Sequence, residues 1–173
     1  MTTHAAHDDM IYLVEVMNKT TDPRALSIVC TSYVETHLIS LLECRMPAID
    51  NPLRKKLFSG ETGIGTLSTK TNLALALGLI GKTLAADIAA MGSIRNKLAH
   101  NLRIDSFDHP VVLDFIRNFS VPTEGSPETG TTLAEIYRGT DNRSRFFWKG
   151  VLVCMDISNA VSAEMRSKHG AEY

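Results

Sequence analysis

The chain has 173 residues, 44% of them hydrophobic and 21% charged, with a formal net charge of −1. Such length and usage suit one domain with a substantial core and exclude disordered, collagen-like and coiled-coil classes. Near-zero net charge excludes a general attraction to nucleic acid, so any such binding would have to come from a local basic patch.

Residues 1–7 are expected to fray, and the start carries neither a basic segment nor an apolar run of the secretory kind. No stretch reaches the ~18 uninterrupted apolar residues of a membrane span, so the expected setting is cytoplasmic, without membrane association. Cys30, Cys44 and Cys154 lie in apolar helical pattern without CxxC or metal-ligand spacing, and read as buried free thiols.

The first expected helix runs from about Asp8 to Asn18, with Ile11, Val14 and Met17 as its apolar stripe. Asp22 before Pro23 starts a longer one, because the aspartate can accept from free N–H groups and proline at the first position forfeits no helical bond. Leu26, Val29, Tyr33, Leu38, Leu41 and Leu42 face its core side, Ser32, Glu35, Thr36 and Glu43 face out, and Pro47 ends it. Asp50 and Pro52 repeat the start signal for a short helix ending near Phe58.

A glycine-rich loop at 59–67 follows, lacking the Lys-Ser or Lys-Thr that a phosphate loop needs; it reads as a connector or partner-binding loop. An apolar helix is expected from Ser68 to Ile80, where Ala74 and Gly78 would admit a neighbouring helix. The next, Thr83 to His100, turns Leu84, Ile88, Met91, Ile94 and Leu98 to one face. A short helix follows Asp108 with Pro110 in its first turn, then a loop at 120–131, the segment Leu133 to Tyr137, and a long helix from Asp141 to Lys168. These elements define an all-α, single-domain helical bundle of about six to seven helices spanning 1–173.

The segment Arg95, Asn96, Lys97, Leu98, Ala99, His100 is the most informative in the chain. Asn96 and His100, four residues apart, lie ~40° from each other around a helix, whereas Arg95 is ~140° from His100. Arg95 would therefore need its long arm, a loosened last turn, or a second chain to share an anion with His100. A dimer interface would place two such sets in one groove. This set suits metal-independent RNA cleavage: His100 exchanges protons, Arg95 stabilises phosphate charge, and Asn96 orients imidazole or phosphate. Lys97, Asn101 and Arg103 would add RNA-binding charge and donors. A bland alternative uses the same residues structurally. Cations in a last turn suit the helix dipole, Asn101 can cap, and Arg95 can pair with Asp87, Asp105 or Asp108.

Arg95, Asn96 and His100 resemble the Arg-x4-His signature of the HEPN superfamily, many of whose members are RNases in toxin and antiviral systems. The stretch from Gly65 to Phe119 is also similar to the mannitol operon repressor family, with Leu67-Ser68-Thr69-Lys70, the run Leu73 to Ile80, and the Arg95 to His100 motif as its matching parts. That family is all-helical and assigned to transcriptional regulation. The first resemblance implies a dimeric ribonuclease or RNA-binding protein, a toxin or defence component with an antitoxin. The second implies a non-enzymatic regulator acting through protein contacts, with a transcription factor among its partners. A third reading is a cognate protein that holds such an enzyme inactive.

No cofactor or metal set is expected. His4 and His7 lie in the frayed start, His37 has no HExxH pattern, and His109 sits at a helix start; Asp8 with Asp9 and Asp105 with Asp108 occupy cap or turn positions. Phe146, Phe147 and Trp148, beside Arg143, Arg145 and Lys149, could stack on RNA bases, but at helical spacing they read rather as core packing with a basic outer face.

Overall fold

The structure, a computed structural model, describes residues 11–46, 49–59, 63–121, 137 and 140–170 apart from 13 and 17, with side chains to 167. Helical residues 11–12, 14–16 and 18–19 form α1. They are followed by α2 (Pro23–Glu43), α3 (Asn51–Phe58), α4 (Leu67–Ala76), α5 (Lys82–His100), α6 (Pro110–Arg117) and α7 (Asn142–Gly170). No strand occurs among the described residues. The frayed start, the helix start at Asp8, Pro47, most of the 120–131 loop and Leu133 lie outside them.

Local chemistry sets the starts. Asp22 accepts from the Ala25 N–H at 2.7 Å and Asp50 from the Leu53 N–H at 2.8 Å, each with a proline in the first turn. Thr66 and Thr69 exchange side-chain-to-backbone hydrogen bonds, both 3.1 Å, so α4 begins at Leu67, one residue before the position expected from sequence. Asp141 accepts from the Ser144 N–H at 2.7 Å at the head of α7. At α6 the cap is His109, whose Nδ1 accepts from the Val111 N–H at 3.4 Å. Asp108 instead accepts from the Asn142 side chain at 2.6 Å, joining α7 to the turn before α6.

The largest departure from the sequence reading is the end of α4. It stops at Ala76 because Gly78 adopts φ 68°. The Leu79 N–H then bonds the Ala74 carbonyl at 2.9 Å and the Gly78 N–H bonds that of Leu75 at 3.0 Å, which satisfies two of the helix's last carbonyls. Gly78 thus ends a helix where it was expected to admit one. The close approach lies at Gly92 of α5, where an added Cβ would stand 3.3 Å from Leu67 Cδ2 of α4.

α2 is the central element, packed on α4, α5 and α7, while α6 closes over α5 and α7. Leu26, Val34, Leu38, Leu41 and Leu42 of α2 meet Ile88, Met91, Ile94 and Leu98 of α5 and Phe146, Cys154 and Ile157 of α7 in one core. Each fully buried Leu or Ile contributes roughly 1.5–3 kcal/mol. α2 is long and apolar enough to cross a membrane by length and composition alone; here Leu26, Cys30, Val34, Leu38, Leu41 and Leu42 are buried against three neighbouring helices, while Ile28 stays exposed. Cys30 and Cys154 are buried free thiols, as expected, whereas Cys44 is half-buried at the end of α2. Burial pushes the Cys154 thiol up to about 12 and Cys30 well above its ordinary value, with the neighbouring Cys154 adding to the effect on Cys30.

Two lysines lie inside the bundle. Lys70 of α4 donates to Glu35 of α2 and to the Gly65 carbonyl, both at 2.6 Å, tying the glycine-rich loop to the core. Glu35, expected to face out, is held half-buried by this contact. Lys149 of α7 is buried against Asp87 of α5 at 3.0 Å and also donates to the Ser120 carbonyl and hydroxyl. It is therefore not part of a basic outer face. Phe146 and Phe147 are core as expected, but Trp148 is exposed.

Candidate functional site

The Arg95 to His100 motif occupies the last turns of α5, with Ile94 and Leu98 buried and Asn96, Lys97 and His100 exposed. Arg95 is half-buried, and its guanidinium donates to the Asn96 side-chain oxygen at 2.9 Å. This neighbour contact engages the side-chain oxygen of Asn96, the residue expected to orient His100 or a phosphate. Helical geometry persists through His100 to an extended cap at Asn101, φ −128° and ψ 108°, so the last turn is not loosened toward Arg95. Within the chain Arg95 is tied to Asn96, and no hydrogen bond joins either to His100 among the described residues.

The acidic partners proposed for Arg95 are engaged elsewhere or lie apart. Asp87 belongs to the buried Lys149 and Ser120 network. Asp108 accepts from Ser106 and Asn142, and Asp105 is exposed. Among the described residues no salt bridge involves Arg95, Lys97, His100 or Arg103. Lys97, Asn101 and Arg103, the residues assigned to RNA binding, are all exposed beside His100. Asn101 turns its side-chain oxygen inward to accept from the Arg103 N–H at 3.0 Å.

The residue that shapes this end of α5 comes from another helix. Arg24, in the first turn of α2, donates through Nε to the Leu98 carbonyl at 2.9 Å and through its terminal nitrogen to the carbonyls of Asn101, Leu102 and Ile104 at 3.4, 2.9 and 3.0 Å. A planar, permanently charged fork thus satisfies one of the helix's closing carbonyls, that of Leu98, and three at the cap and in the turn beyond. Carbonyl dipoles that would repel an anion are in this way offset by a fixed cation. Leu102 in the same turn is 88% exposed. Arg24 gives no signal in sequence, since it lies 74 residues from its first acceptor and occupies an ordinary helix position.

Among the described residues no cluster of three or more His, Cys, Asp or Glu side chains could hold a metal ion. The site is thus a rigid basic helix end with one projecting leucine, on an all-α bundle. The chain matches no protein-family model and no curated protein. Its fold is similar to that of a chain in the X-ray structure of the MtlR-HPr complex from Escherichia coli, with a TM-score of 0.54 at 18% identity. The similarity covers 90% of this chain and 97% of that one, so it extends past 119 into the region that neither sequence resemblance reached. At this identity the likeness is one of fold.

Proposed function

We propose that this protein is a non-enzymatic regulator of the mannitol operon repressor type, acting through protein contacts. The observation that carries this reading is the similarity over 90% of the chain to a chain solved in complex with HPr, a protein partner. It agrees with the resemblance of Gly65 to Phe119 to the mannitol operon repressor family. By this analogy an HPr protein is the partner to test first. Titration of purified HPr into the protein should give saturable binding; no binding at concentrations to about 1 mM, some 4 kcal/mol of affinity, would remove HPr as partner.

A second reading, the HEPN-like ribonuclease, is kept because Asn96, Lys97 and His100 are exposed and have no carboxylate partner among the described residues. In that reading His100 is the general acid/base and Arg95 the phosphate ligand, brought together by dimerisation. The Arg95 to Asn96 bond counts against it, since the guanidinium would first have to be released. Metal-free cleavage of single-stranded RNA, abolished by His100→Ala, would establish it over the regulator.

A further inference from the structure

Leu102 is 88% exposed, the highest value among the exposed large hydrophobic residues described. Its exposure does not come from a loose segment: Arg24 holds its carbonyl and those of Asn101 and Ile104, and Asn101 ties the Arg103 N–H. A single apolar side chain is therefore displayed from a backbone fixed by several hydrogen bonds, so little ordering cost attends its burial by a partner. Around it in sequence and on the same helix end stand Lys97, His100 and Arg103, all exposed, with Asp105 as the one exposed carboxylate between 95 and 105. That local charge contrasts with a net charge of −1 for the whole chain.

We infer that the Leu102 turn is a docking anchor, whose occupant is a protein carrying an apolar pocket rimmed by carboxylates. A buried apolar anchor inside a charged rim is the usual anatomy of an interface, with the rim setting orientation and association rate. RNA fits less well, because a leucine offers no stacking face to a base. The inference deepens the regulator reading and rests on it for the kind of partner.

The test uses purified HPr as probe, the intact protein, and two variants: Leu102→Asp and the double charge reversal Lys97→Glu/Arg103→Glu. All three residues are exposed, so both variants should keep the wild-type helical circular dichroism, with the charge reversal lowering the melting temperature by no more than a few degrees through the lost interaction of Lys97 with the helix dipole. Leu53→Asp is the control. Leu53 is exposed on α3, whose Arg54 pairs with Glu43 at the far end of α2 from Arg24, about 30 Å away by helix rise. Each test variant should weaken HPr binding at least tenfold, Leu53→Asp should not, and added salt should weaken the wild type more than the charge-reversed protein. HPr binding that survives both variants would overturn the docking anchor while leaving the regulator reading in place.

If HPr does not bind, that partner assignment fails and the anchor is judged separately. A benzophenone amino acid in place of Leu102 should then crosslink in cells to a protein whose mapped peptide is acidic. The adduct should be missing for the same probe at 53 and lost on Lys97→Glu/Arg103→Glu. No adduct, a charge-insensitive one, or charge-dependent RNA binding indifferent to Leu102→Asp would overturn it.

Discussion

Arg24 and Lys149 show how single side chains organise this bundle. Arg24→Ala removes a charged donor from a set of partly buried carbonyls, and hydrogen bonds to charged groups contribute roughly 1.5–3 kcal/mol. Urea unfolding should show a loss of that order, only partly restored by Arg24→Lys, because an ammonium cannot span the same acceptors as a planar fork. Lys149→Met should be more damaging, by about 3–5 kcal/mol, since it leaves Asp87 buried without its cation. Adding Asp87→Leu should recover most of this loss; failure to recover would mean that Ser120, which bonds both residues, carries the network. Nearby, the Tyr137 hydroxyl is buried without a partner among the described residues, and burial, aided by Asp87, pushes its ionisation up.

The carboxyl of Asp141 is held below the usual aspartate range chiefly by the Ser144 N–H, with the Ser144 hydroxyl and Arg143 adding to it. A depressed folded-state value means that its contribution is present at neutral pH and lost as pH falls from the ordinary aspartate range through the folded value. Asp141→Asn should therefore flatten part of the acid limb of a stability-against-pH curve and leave the neutral-to-alkaline limb unchanged.

Helix starts were the most legible elements because their causes are local. Asp22, Asp50 and Asp141 cap with side chains that reach only three residues along, so sequence spacing is enough to read them. The end of α4 is not legible in the sequence, because the run of leucine, alanine and glycine continues past Ala76 without a polar break, while the terminator is a backbone conformation at Gly78. Gly78→Ala tests this: nothing stands within 4 Å of the added Cβ, so the expected cost of about 1–2 kcal/mol is conformational alone. At Gly81, where φ is −82° and the space is equally open, the same change should cost less, and equal losses would refute the distinction. The site divides in the same way. The exposed and buried faces of α5 follow from periodicity, whereas the Arg24 clamp and the Asp87 to Lys149 pair join residues 74 and 62 positions apart and leave no periodic trace.

Across the whole molecule, the 18% identity to the chain from the MtlR-HPr complex shows that one bundle can be specified by largely different residues. Core pattern survives such divergence more readily than the chemistry of a site. The exposed His100 should therefore be dispensable for folding, with His100→Ala changing stability by less than about 1 kcal/mol. Its effect on partner binding or RNA cleavage then separates the functional readings cleanly.

The most direct measurement is a calorimetric titration of HPr into the wild-type protein, run beside a metal-free assay on single-stranded RNA. Saturable, salt-sensitive binding of HPr with intact RNA is the result expected of a regulator that works by protein contact. No binding, together with RNA cleavage that His100→Ala abolishes, would contradict it.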